Sequence, residues 1–130
     1  MYLLRKLRSA FDVSRELLQI VYKSLVESFL TFNIVVWYGN LGVKGKAKLA
    51  SIVGMAGKIT GAKQDSLSDL YLTAVERKTA RILDDAKHPV FSQFQKLRSG
   101  RQYKVPIARK NVYKQSFIPS AISVLNSRAT

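Results

Sequence analysis

Apolar residues recur at three- and four-residue steps through most of this chain, a spacing that marks helices rather than strands. In "DVSRELLQIVYKSLVESFLTFNIVVWYG" the period runs through Leu17, Leu18, Val21, Leu25, Phe29 and Phe32. Ser14 is placed to cap this helix, with Glu16 near its positive end. The β-branched run "NIVVW" weakens the helix toward Trp37, and Gly39 is the expected stop. The surface is apolar nearly all round, so residues 14–37 are expected to need a partner on more than one side, such as another helical subunit. A second pattern runs through Leu49, Ile52, Val53, Ala56 and Ile59, interrupted by glycines 45, 54 and 57. Each glycine costs a helix up to about 1 kcal/mol against alanine.

"SLSD" from Ser66 to Asp69 reads as a capping signal, with a carboxylate three residues after the cap. The helix it opens is expected to bury Leu70, Tyr71, Ala74, Val75, Ile82 and Leu83, leaving Arg77, Lys78 and Arg81 outside. A short helix is expected between Pro89 and Gly100, and a final turn or two led by Pro119. The predicted architecture is all-α: four to five helices, with an irregular basic segment near the C-terminus. Residues 1–97 form the helical region and residues 98–130 a basic tail with a short last helix.

Length and apolar content, 130 residues and 47%, fit one globular domain with a modest core. Charge changes the picture more. Twenty-two Lys and Arg against eight Asp and Glu give +14, unevenly spread. Through Asp85 there are 13 basic and 8 acidic residues; after it there are 9 basic and no acidic ones. A one-sign field of this density favours polyanions, nucleic acid first among them, and an anionic membrane surface feels the same attraction. No apolar run approaches the roughly 20 residues of a membrane span. The N-terminus lacks the order of a secretory leader, so an intracellular protein, nuclear or cytoplasmic, is expected.

Catalytic chemistry finds little to work with. Cysteine is absent and His88 is the sole histidine, so neither a closed zinc site nor a thiolate nucleophile is available. Asp84 and Asp85 are adjacent carboxylates without a third nearby, too few to fix magnesium for phosphoryl transfer. "GNLGVKG" lacks the spacing and the terminal Lys-Ser or Lys-Thr of a phosphate loop. No catalytic residue, metal or cofactor is expected. The basic elements say more. "LLRKLRS" sets Arg5, Lys6 and Arg8 among leucines. "SGRQYKVPIARKNVYK" interleaves Arg101, Lys104, Arg109, Lys110 and Lys114 with Tyr103 and Tyr113. These eight cations are the candidate contacts to the phosphates of RNA or DNA. Tyr113 and Phe117, four apart, either stack on bases or anchor the segment; the anchor is expected.

These residues also resemble a known family. Leu4, Arg5, Lys6, Leu7 and Arg8, and then Tyr22, Ser24, Ser28, Leu30, Thr31, Trp37 and Gly39, match in order and spacing the region just after the polymerase core of LINE-type (non-LTR) retrotransposon reverse transcriptases of the kind abundant in fish. "SLSDLY", "RILDDAKHPVFSQFQKLRSGRQYKVP" and "NVYKQSFIPSAISVLN" resemble the C-terminal tail of the same polyproteins. The resemblance implies a thumb-like helical region and tail that help hold template RNA and target DNA, without the polymerase and endonuclease modules. The start of the chain is also similar to the short N-terminal segment of an AlkB-like tRNA-modifying enzyme. No iron-binding His-x-Asp…His set accompanies it, so no oxygenase activity is implied. The expected function is therefore a non-catalytic, nucleic-acid-binding fragment. A helical protein-interaction module and a functionless relic of a retrotransposon polyprotein are the alternatives.

Overall fold

Tyr2–Ala10 (α1) turns Leu4 inward and leaves Arg5, Lys6 and Arg8 exposed, the division that its apolar period dictates. The computed structural model describes residues 1–129. They are all-α, with no strand among the described residues. Two compact units are formed, one by residues 1–34 and 41–70, the other by residues 35–40 and the chain from residue 71 on. The basic tail belongs to the second unit.

In the first unit, Arg15–Val21 (α2) starts at the Ser14 cap, whose Oγ accepts the Leu17 N–H at 3.3 Å. Glu16, beside the free N–H groups of this turn, has its pKa lowered by backbone hydrogen bonding, then by Ser14 and Arg15. The helix continues through a π-helical stretch, Tyr22–Glu27, into Ser28–Thr31 (α3). The hydroxyls of Ser24 and Thr31 donate to carbonyls four residues back, at 2.6 and 2.8 Å, and Ser28 does the same to Ser24. The helix then stops at Asn33 (φ 48°), six residues before the expected Gly39. Asparagine is one of the few side chains that tolerate this left-handed conformation. Ile34–Trp37 (α4) is a separate short turn.

Gly39 serves a different need. A Cβ there would overlap the Gln115 carbonyl oxygen, so its backbone is pressed against another segment of the second unit.

Val43–Thr60 (α5) carries the second apolar period, burying Val53, Ala56, Ile59 and Thr60, and ends at Gly61 with φ 72°. α1, α2 and α5 pack together. Their core is Leu4, Leu18, Tyr22, Ala56 and Ile59, with Met1, Leu7, Val13, Val21 and Val26 around it. Ala56 has no exposed surface, and it is the small residue that lets these helices close. Beside this core the amides of Gln19 and Gln64 pair reciprocally, and Gln64 also donates to Thr60 Oγ1 at 2.9 Å. A buried glutamine is thereby satisfied.

Leu67–Asp84 (α6) opens at Ser66, whose Oγ accepts the Asp69 N–H and donates to its carboxylate at 2.7 Å. In the second unit it buries Val75, Thr79 and Ile82, the Thr79 hydroxyl being satisfied by the Val75 carbonyl at 2.7 Å. Tyr71 stacks at a tilt on Tyr38, ring centroids 5.1 Å apart. The helix expected after Pro89 is only a 3₁₀ turn, Phe91–Gln93. Phe94 leaves helical geometry to bury its ring edge-on against Tyr103, so tertiary packing overrides the local pattern. Asn111–Lys114 (α7) precedes Phe117–Ala129 (α8), which is longer than the expected turn or two. Pro119 lies in its first turn, where a missing N–H costs nothing, and Ala121 and Ile122 are fully buried.

Candidate nucleic-acid interface

The first part of the irregular chain between the 3₁₀ turn and α7, from Gln95 to Lys104, is held by backbone bonds. Lys96 and Tyr103 form an isolated antiparallel bridge, with Leu97 N–H donating to Gln102 O at 2.8 Å and Lys104 N–H to Gln95 O at 2.7 Å. Gly100, at φ 69°, closes the turn between them by donating to the Leu97 carbonyl. From α8, the Asn126 side chain reaches the other edge of Tyr103. It accepts the Tyr103 N–H at 2.7 Å and donates to its carbonyl at 3.0 Å. One amide thus takes the place of a neighbouring strand, and the segment is positioned without a sheet.

Arg101 and Lys104 on this frame, and Arg109, Lys110 and Lys114 beyond it, are all exposed. None has a carboxylate within ion-pair distance among the described residues, and no acidic residue occurs after Asp85. Elsewhere in this unit Arg128 pairs with Glu76 at 2.5 Å, and the Lys78 ammonium sits 4.9 Å from the centre of the Phe117 ring. Those cations are engaged with the fold; the five between 101 and 114 are not. They leave a positive field facing water, the condition for displacing counterions from a polyanion.

The three cations of α1 divide differently. Arg5 and Lys6 are exposed, with the Lys6 ammonium 5.9 Å from the Tyr2 ring centre. Arg8 donates to the carbonyls of Lys58 and Ile59, at 3.0 and 2.9 Å. It caps the negative end of α5, where a cation is favoured.

Tyr113 is not the buried anchor expected of it. It is 42% exposed and, with Gln93, Gln95, Lys104, Pro106 and Ile107, lines a groove of about 350 Å³. Phe94, Ala121 and Ile122 anchor the region instead. Nothing in the local spacing distinguishes Gln93, Gln95 and Asn126, because their roles depend on partners brought from elsewhere in the chain.

His88 accepts the Val90 N–H on Nδ1 at 3.2 Å, and Asp85 accepts the Lys87 N–H, so both are spent on turns. Among the described residues no group of three or more His, Cys, Asp or Glu side chains is gathered to hold a metal ion. No helix among them is long and apolar enough to cross a membrane. No family model, curated protein or solved structure matches the chain.

Proposed function

We propose that this chain binds RNA or DNA through its phosphates, without catalysis, as a fragment of reverse-transcriptase type in keeping with the resemblance of its sequence. The observation that carries the reading is the group of five exposed, carboxylate-free cations, Arg101 and Lys104 on the segment pinned at Tyr103 and Arg109, Lys110 and Lys114 beyond it. Arg5 and Lys6 are secondary contacts. Arg8 is assigned to the scaffold, since its guanidinium is occupied by two carbonyls. Binding is led by charge and indifferent to base sequence at the phosphates. The test is a titration of the purified chain with labelled nucleic acid across a salt series. Contact with about 5 phosphates gives a log–log slope near −4 to −5 on duplex DNA. Affinity that ignores salt, or no binding at low salt, contradicts the reading.

A second reading, a helical interaction module, is favoured by one observation. Along the helical run from α2 through the π-helical stretch to the end of α3, Leu17, Leu25, Phe29 and Phe32 stay exposed, Phe29 by 80%. Large apolar side chains gathered on one helix commonly mark a partner surface. Sedimentation of a monomer that binds no apolar dye would count against it.

A further inference from the structure

The groove beside Lys104 combines chemistries that phosphate binding alone does not require. Its lining offers an aromatic ring (Tyr113), two exposed amides (Gln93 and Gln95), an ammonium (Lys104) and the apolar Ile107. Ile107 is 96% exposed, so this wall of the groove is unsatisfied by the fold itself. Part of the groove is fixed by backbone bonds. The Lys104 N–H bond to Gln95 O fixes two of its lining residues to one another, and Asn126 locks the adjacent Tyr103 from the other side.

Each part selects. The cations and the lack of any acidic residue after Asp85 exclude a cationic ligand and favour an anionic one. A flat aromatic ring beside apolar side chains favours a ligand that is itself flat. Glutamine amides present a donor and an acceptor together, the complement of the edge of a nucleobase. That edge is free only when the base is unpaired. A duplex keeps its bases stacked and paired, out of reach of a surface groove.

We propose that this groove takes one unpaired base of single-stranded RNA or DNA. The base stacks on Tyr113 with its edge on Gln93 and Gln95, and Lys104 meets the neighbouring phosphate. The proposal rests on the nucleic-acid reading above and adds a preference for single strands to it.

The full chain is titrated at one salt concentration with a short labelled single strand and with the same sequence as a duplex. Tyr113→Ala is expected to weaken single-strand binding by about 5- to 150-fold, the loss of one stacked base. Duplex affinity should stay unchanged, and Tyr113→Phe, which keeps the ring, should bind as the parent does. The Gln93→Ala/Gln95→Ala pair should bind phosphates normally but lose discrimination among homopolymeric strands. Thermal melting accompanies each variant; if Tyr113→Ala melts early, the exposed glutamine pair carries the test. Equal losses on single strand and duplex, or none on either, would overturn the groove and leave the phosphate contacts standing. An unmutated chain that binds neither strand form at low salt would overturn both readings. Preferential uptake of an acidic peptide in place of the single strand would overturn the groove alone.

Discussion

The two units of the molecule offset their positive charge to different degrees. In the first, ten basic residues share the chain with five acidic ones, and Arg8 is drawn into capping a helix. In the second, twelve basic residues face three acidic ones, Glu76, Asp84 and Asp85. These three lie on α6 or just past its end, so the segment after it has nothing to offset its cations. Both units bury a core and leave apolar side chains outside: the first exposes Leu17, Leu25, Phe29 and Phe32 along one helical run, the second Val105, Ile107 and Val112 within and beside its basic segment. What separates them is where the acids lie: in the first unit they are spread along the chain among the cations, and in the second they stop at Asp85.

The widest contrast lies within one continuous helical run. Tyr22→Ala removes a 1%-exposed ring from the first core and should cost about 3–5 kcal/mol by denaturant unfolding. Phe29→Ala, seven residues on, should stay within about 0.5 kcal/mol, as surface substitutions do. A large cost at Phe29 would mean that the exposed stripe is covered in solution and would favour the interaction-module reading.

In the second unit, Asn126→Ala removes the amide that holds both backbone groups of Tyr103. The expected loss is about 1–3 kcal/mol, together with faster hydrogen exchange at the Tyr103 amide. Nucleic-acid affinity should fall with it, because Arg101 and Lys104, on either side of Tyr103, lose their frame. Unchanged exchange would show that the bridge alone positions the segment.

Burial raises the Tyr22 hydroxyl pKa, and the neighbouring Glu27 and Asp65 raise it further. The folded state therefore holds this proton more tightly than the unfolded chain. The contribution is fully present below the ordinary tyrosine value and is lost as pH rises through the raised one. Stability should fall above about pH 10, and less steeply in Tyr22→Phe, measured as melting midpoint against pH. Equal slopes would contradict the assignment.

The smallest effect is a gain. Gly54 lies within α5 with open space where a Cβ would go, so Gly54→Ala should stabilise by up to about 1 kcal/mol. Gly39→Ala in the second unit should destabilise, because of the Gln115 carbonyl against it.

The sequence reveals what depends on near neighbours. The Ser14 and Ser66 caps, the inward Ala56 and Ile59, and the outward Arg77, Lys78 and Arg81 all follow from spacing. The apolar excess of the helix after Ser14 is equally visible, and its exposure is what the pattern implies. Three features escape such a reading for physical reasons. Asn33 stops its helix through a left-handed conformation that asparagine tolerates but does not advertise as glycine does. Phe94 breaks a local helical pattern to reach Tyr103. Asn126 acts on a residue 23 positions away. The last two are tertiary, and they decide the frame of the candidate interface, so the cations could be picked out before the groove beside them.

The central claim is that the uncompensated cations of the second unit, not diffuse charge, grip nucleic acid. It is tested most directly by salt titrations of duplex binding for the parent chain and two variants. One variant replaces Arg101, Lys104, Arg109 and Lys110 by alanine; the other replaces Lys44, Lys46 and Lys48 on α5. The first should lower the salt slope by roughly 3 to 4, about one for each phosphate that is no longer neutralised, and the second by far less. Losses that scale only with the number of charges removed, whichever unit they come from, would contradict the account.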